Sequence, residues 1–194
     1  MDWARRVKAR GARRPPGERG AAVLWLFTDW ARLPAPVAAV RRLPPRLGGV
    51  VLRDDTHPCR AALAREIARV CRARHLALSV AGDWRLAAAL HAGLHLRGGR
   101  RPPHAPRHLR TLTSSAHGVP ELVRAGRAGA GLVFLSPVFV TASHPGAPAL
   151  GPVRWAAMAR RTGGAAALGG LDGATARRLD RRACRALGAI GALG

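Results

Sequence analysis

A short apolar run, Leu132 to Leu135, breaks at Ser136-Pro137 into a segment carrying two small hydroxyls, Thr141 and Ser143, beside His144 and Gly146. Pro152 follows where a first helical turn tolerates proline, and an Ala/Arg/Trp stretch continues as a helix. Strand, hydroxyl-bearing loop and helix start together suit an anion, because the strand aims the loop and hydroxyls and backbone N–H groups face the charge. A proline-rich surface loop is the plain alternative. His117 stands two residues after Ser115, at the C-terminal end of another strand candidate. Its imidazole titrates near neutrality and suits proton transfer, although a structural histidine fits the same position. Asp83 ends a third strand candidate and offers a carboxylate to a hard cation such as Mg²⁺. His91 and His95 are four apart, as are His104 and His108, but Gly93 and Pro106 interrupt any continuous helix, which argues against zinc.

The elements that must hold these groups recur along the chain. Apolar runs at 21–27, 49–52, 76–80, 93–96, 110–113, 132–135, 165–168 and 187–193 read as buried strands. Helices are predicted over 36–43, 58–74, 84–91, 120–127, 152–161 and 172–182, the last capped by Asp172. Eight strands alternating with helices argue for an α/β fold, a parallel sheet closed as a (β/α)8 TIM barrel. An open doubly wound sheet is the alternative, but it explains eight similar units poorly. The 194 residues are few for such a barrel, and the eighth helix is expected to be truncated or absent, with the tail or a second subunit of a homodimer covering the gap. The barrel domain is expected over 21–194. Polar and glycine clusters fall at the strand C-termini, where such barrels hold their sites.

Formal net charge is +23, with 33 basic against 10 acidic residues, nearly all of the basic ones arginine. Residues 1–20 carry seven basic side chains against Asp2 and Glu18, with Pro15-Pro16-Gly17, and read as a disordered tail. Arginines are scattered over many elements without a nucleic-acid motif, so phosphorylated small molecules are the expected partners rather than RNA or DNA. No apolar run spans a membrane and no secretory leader is read. Cys59, Cys71 and Cys184 share no metal spacing and suit a reducing cytoplasm.

The chain resembles the thiamine phosphate synthase/TenI family over roughly residues 22–193. In that family the sixth barrel strand runs into Gly-Pro-Val-Phe-x-Thr-x-Thr-Lys and, after a loop, Pro-Leu-Gly. Here the same stretch reads Ser136-Pro137-Val138-Phe139-Val140-Thr141-Ala142-Ser143-His144, then Pro148-Ala149-Leu150-Gly151. The likeness continues at Thr28-Asp29, Arg53, Asp83, Ser115-Ala116-His117 and Gly169-Gly170. It implies an enzyme of thiamine biosynthesis. Synthases couple hydroxymethylpyrimidine diphosphate, held with Mg²⁺, to a thiazole phosphate.

The resemblance implies that Thr141, Ser143, Gly169, Gly170, Ile190 and Gly191 hold the thiazole phosphate, the last two replacing an Ile-Ser pair. On the pyrimidine-diphosphate side it implies Arg53, Ser115 and His144, with Asp83 as metal ligand. This half departs from the family pattern. A lysine of Gln-x-Arg-x-Lys has become Asp55, the second metal carboxylate falls among Arg97-Gly98-Gly99-Arg100-Arg101, and the lysine after the hydroxyl pair is His144. A TenI-like thiazole tautomerase, in which His117 moves a proton without metal or diphosphate, or a synthase with weakened diphosphate binding is therefore expected. A non-catalytic barrel that binds thiamine precursors is the alternative.

Overall fold

Eight short strands separate the apolar residues into an inner and an outer core, and the computed structural model describes them across residues 22–53, 55–106, 111–141, 146 and 148–190. The tail 1–20 lies outside the described residues, as do Ser143, His144 and Gly191. The strands are β1 (Leu24–Phe27), β2 (Gly48–Leu52), β3 (Ala77–Ala81), β4 (Gly93–Leu96), β5 (Leu112–Ala116), β6 (Leu132–Leu135), β7 (Ala165–Leu168) and β8 (Cys184–Ala189). All neighbours pair in parallel, and β8 returns to β1 with Leu24 opposite Leu187, so the sheet is a closed barrel. The fold is the expected (β/α)8 type, with few helices.

Alternation along each strand sorts the side chains. Trp25 and Phe27 of β1, Val51 of β2, Ala81 of β3 and Phe134 of β6 point inward as a compact inner cluster. Phe27 and Phe134 meet edge to face with ring centroids 4.8 Å apart. Gly49 makes room for this aromatic layer, since a Cβ there would lie 2.6 Å from the Trp25 ring. The opposite faces pack on the helices α1 (Pro36–Arg42), α2 (Arg60–Arg74), α3 (Trp84–Ala89), α4 (Val119–Arg127) and α5 (Pro152–Arg160). Trp155 of α5 is fully buried, and its Nε1 donates to the Leu135 carbonyl at 3.0 Å.

No helix follows β4 among the described residues. Arg97–Arg100 form a tight turn in its place, closed by a bridge between its ends. Gly99 has φ +74° and backs directly onto α4, where a Cβ would meet the Ala125 nitrogen at 2.4 Å. Two expectations from sequence are corrected. The predicted helix over 172–182 is a single 3-10 turn, Thr175–Arg178, with no buried residue. Asp172 Oδ1 accepts from the Ala174 and Thr175 N–H groups at 2.8 and 2.7 Å, which closes one turn, and no apolar face follows to extend it. The last strand starts at Cys184 rather than 187, because its register is set by pairing with β1 and β7.

Candidate active site

The C-terminal ends of the strands surround an open cavity of about 710 Å³. Its floor includes Phe27 and His95, and its walls bring together Arg53, Arg97, Ser115 and His117. Three residues expected from sequence (Arg53, Ser115 and His117) thus share one cavity.

His117 is the residue after β5 and before the N-terminus of α4, with 64 % of its side chain exposed. Its Nδ1 lies 3.1 Å from Glu121 Oε2, and the same oxygen accepts the His117 backbone N–H at 2.8 Å. Glu121 sits in the first turn of α4, where a reach back to the preceding N–H is the capping-box geometry. Burial alone raises the Glu121 pKa, but the hydrogen bonds from the His117 backbone and ring, together with the charges of His117 and Arg124, bring it below the usual carboxylate value. An ionised carboxylate only accepts, so the proton shared with His117 sits on Nδ1 and Nε2 carries the basic lone pair of the neutral ring. The pair is a histidine whose tautomer is fixed by a carboxylate.

Ser115 has a positional role in this cavity: its hydroxyl accepts the Gly98 N–H at 3.2 Å, while Ser114 accepts the Gly99 N–H at 2.9 Å. The two serines on β5 therefore fasten the turn that follows β4. Arg124 of α4 donates to the Gly98 carbonyl at 2.8 Å from the other side.

His95 was legible from sequence only as half of a spaced histidine pair. On β4 it alternates inward, 2 % exposed, with Nδ1 2.9 Å from the Thr113 hydroxyl and its ring edge-on to Phe27 at 5.5 Å. Burial, with Arg97 and Arg53 adding repulsion, holds its pKa down at about 3, so it faces the cavity as a neutral ring. Period-two reading of Gly93-Leu94-His95-Leu96 is the signal that finds it. Glu121, by contrast, is recognisable in sequence only as a capping glutamate three residues after Gly118. Trp30, at the mouth and 46 % exposed, carries no sequence signal; its Nε1 donates to Thr56 Oγ1 at 3.3 Å.

Arg53, Arg60 and Arg97 hold the carboxylates of the β1–β4 side. Arg53 Nη2 donates to Asp29 Oδ2 at 3.1 Å. Arg60 Nη1 contacts Asp83 Oδ2 at 3.1 Å and its Nη2 contacts Asp55 Oδ1 at 3.3 Å. Arg97 pairs with the other oxygen of Asp55. Asp83 spends its second oxygen on the cap of α3, accepting the Leu86 N–H at 3.0 Å. Both oxygens of Asp83 and of Asp55 are therefore engaged by cations or a helix cap, and no cluster of three or more His, Cys, Asp or Glu able to hold a metal occurs among the described residues. The residues present do not fit a Mg²⁺ ion at Asp83.

Thr141, Gly169 and Gly170 come together beside β6 and β7. The segment after β6 runs alongside Leu168 and Gly169, with Val138 N–H to Leu168 O at 3.0 Å and Phe139 N–H to Gly169 O at 3.1 Å. The Ser136-Pro137 bond is cis. A Cβ on Gly169 (φ +93°) would lie 3.5 Å from Thr141 Cγ2, and one on Gly170 (φ +62°) would lie 2.5 Å from Val140 O. Close approach of this segment is thus one physical reason for the glycine pair. Ile190 is half-buried at the end of β8, against the inner cluster.

The family model described as thiamine monophosphate synthase matches residues 38–193. Among solved structures, a thiamine phosphate pyrophosphorylase from Pyrococcus furiosus aligns at TM-score 0.69 and 20 % identity, over 87 % of this chain and 85 % of that one. A thiamine phosphate pyrophosphorylase from Bacteroides thetaiotaomicron aligns at TM-score 0.51 and 15 % identity, over 87 % and 81 %. An HpcH/HpaI aldolase/citrate lyase family protein from Burkholderia cenocepacia aligns at TM-score 0.55 and 16 % identity, over 90 % of each chain. At such identities the structural matches speak for the barrel alone. No curated protein matches the sequence. With a family model covering most of the barrel, and with the motif residues of its sequence on the barrel rim, the chain belongs to the thiamine monophosphate synthase family.

Proposed function

We propose that this protein is a thiamine-biosynthesis enzyme acting on a thiazole phosphate, and that its chemistry is a TenI-like proton transfer aromatising the thiazole of a thiazole carboxylate phosphate. The observation that carries this reading is the His117–Glu121 pair at the cavity wall, 3.1 Å apart. Glu121 holds the proton on Nδ1, leaving Nε2 to take a proton from one position of the ring and return it at another. No metal and no leaving group are needed. The phosphate is assigned to Thr141, Ser143, Gly169, Gly170, Ile190 and Gly191 on the strength of the family resemblance. Thr141 and the two glycines 169 and 170 adjoin one another in support of it.

Coupling of hydroxymethylpyrimidine diphosphate to thiazole phosphate is the second reading. It is favoured by the description of the family model and by the named activity of the Pyrococcus furiosus protein. The engagement of Asp55 and Asp83 by Arg60 and Arg97 counts against it.

The test is a paired assay. Thiazole carboxylate phosphate should be aromatised by the wild-type chain, and His117→Ala should lower the rate by about 10²–10⁴-fold while phosphate-ligand binding remains. An unchanged rate removes His117 from the reaction. Robust thiamine phosphate formation from the two synthase substrates and Mg²⁺ would establish the second reading instead.

A further inference from the structure

The β1–β4 sector of the rim holds five arginines, Arg32, Arg53, Arg60, Arg97 and Arg100, against three carboxylates, Asp29, Asp55 and Asp83. The carboxylates sit on the guanidinium groups as bound anions would. Asp55 bridges two of them, Arg60 and Arg97. Arg97 lies over Gly82, with its Cζ 3.6 Å from the place a Cβ would occupy. Arg100 lines the same cavity and makes no ion pair among the described residues. Arg60 Nε is buried without a hydrogen-bond partner in the structure, an orphan donor behind the rim. Two positive charges thus exceed the carboxylates in this sector, on a chain whose formal net charge is +23.

We propose that this sector is a metal-independent site for a phosphorylated or diphosphorylated ligand, bound on Arg53, Arg97 and Arg100, with Asp55 as the internal carboxylate that the ligand displaces. Guanidinium groups take phosphate oxygens in the same forked geometry in which they hold a carboxylate. The ion pairs here are partly exposed, with Asp55 and Arg97 at 40 % and 57 % side-chain exposure, so exchanging one anion for another requires no burial of an unpaired charge. Asp83, by contrast, is tied to the α3 cap and stays in place. The inference rests on the cavity being a phosphorylated-ligand site, and not on proton transfer by His117.

Calorimetric titration of the full chain with inorganic pyrophosphate, in EDTA and separately in excess Mg²⁺, tests it without any turnover. Binding in EDTA is expected within about threefold of that in Mg²⁺. Asp55→Asn should tighten it by up to about fivefold, the scale of an exposed ion pair. A metal-ligating Asp55 predicts the opposite sign. Arg97→Gln should weaken binding at least about tenfold, the loss of one charge-assisted contact. Asp180→Asn is the control for general charge, since Asp180 pairs with Arg160 before the start of β8, at the other end of the barrel. Binding that requires Mg²⁺, absence of binding in EDTA, weaker binding by Asp55→Asn, or equal tightening by Asp180→Asn would each overturn the proposal. Loss of aromatisation with pyrophosphate binding intact would instead count against the His117 reading alone.

Discussion

His95 shows what a single buried side chain does to the pH response of the whole protein. Its folded pKa is held near 3 by burial, with help from Arg97 and Arg53, against an ordinary value of 6.5. Below pH 6.5 the unfolded chain takes up a proton that the folded ring refuses until about pH 3, so each step down in pH favours unfolding. Stability should fall between pH 6.5 and 5 with a slope approaching about 1.4 kcal/mol per pH unit. The carboxylates with lowered pKa, Glu121, Asp172 and Asp180, add their own losses only further down, at carboxylate pH values. His95→Asn should flatten the slope over this upper window in urea denaturation curves. A slope that survives the substitution would place its origin elsewhere.

Among elements, the segment after β6 decides more than its hydrogen bonds suggest. It lies on Gly169 and Gly170 so closely that side chains cannot intervene, and both glycines hold positive φ. Gly170→Ala places a methyl 2.5 Å from the Val140 carbonyl oxygen in a left-handed backbone. A loss of about 1–3 kcal/mol is expected, read as a lower urea midpoint with unchanged m. If this segment also holds the phosphate, ligand protection against thermal unfolding should weaken in the same variant. The β4–β5 connection makes the complementary point. A tight Arg97–Arg100 turn pinned by Ser114, Ser115 and Arg124 takes the place of a helix, and so carries two arginines to the cavity edge.

The whole molecule carries its charge unevenly balanced. A net +23 on 194 residues makes the folded state repel itself, and salt screens that repulsion over about 8–10 Å. Raising NaCl from 0.05 to 0.3 M should therefore raise the unfolding temperature, on the order of a few degrees. A fall would mean that the ion pairs of Arg53, Arg60 and Arg97 outweigh the general repulsion. No described helix is long and apolar enough to cross a membrane.

Sequence by itself determined the eight-unit plan. β4, β6 and β7 begin and end where their apolar runs do, because short buried strands leave no choice of period or register within themselves. It also marked Arg53, Ser115 and His117, since polar residues that end buried strands must face the rim of a barrel. Tertiary structure alone decided the limits of β8, whose small residues gain their register from β1 and β7. It alone paired His117 with Glu121 and turned His95 inward against Phe27. It alone set Asp55 and Asp83 on arginines from three different elements. Which cation a carboxylate meets depends on the closure of the cylinder, and the residues that meet there are up to 42 positions apart in the chain.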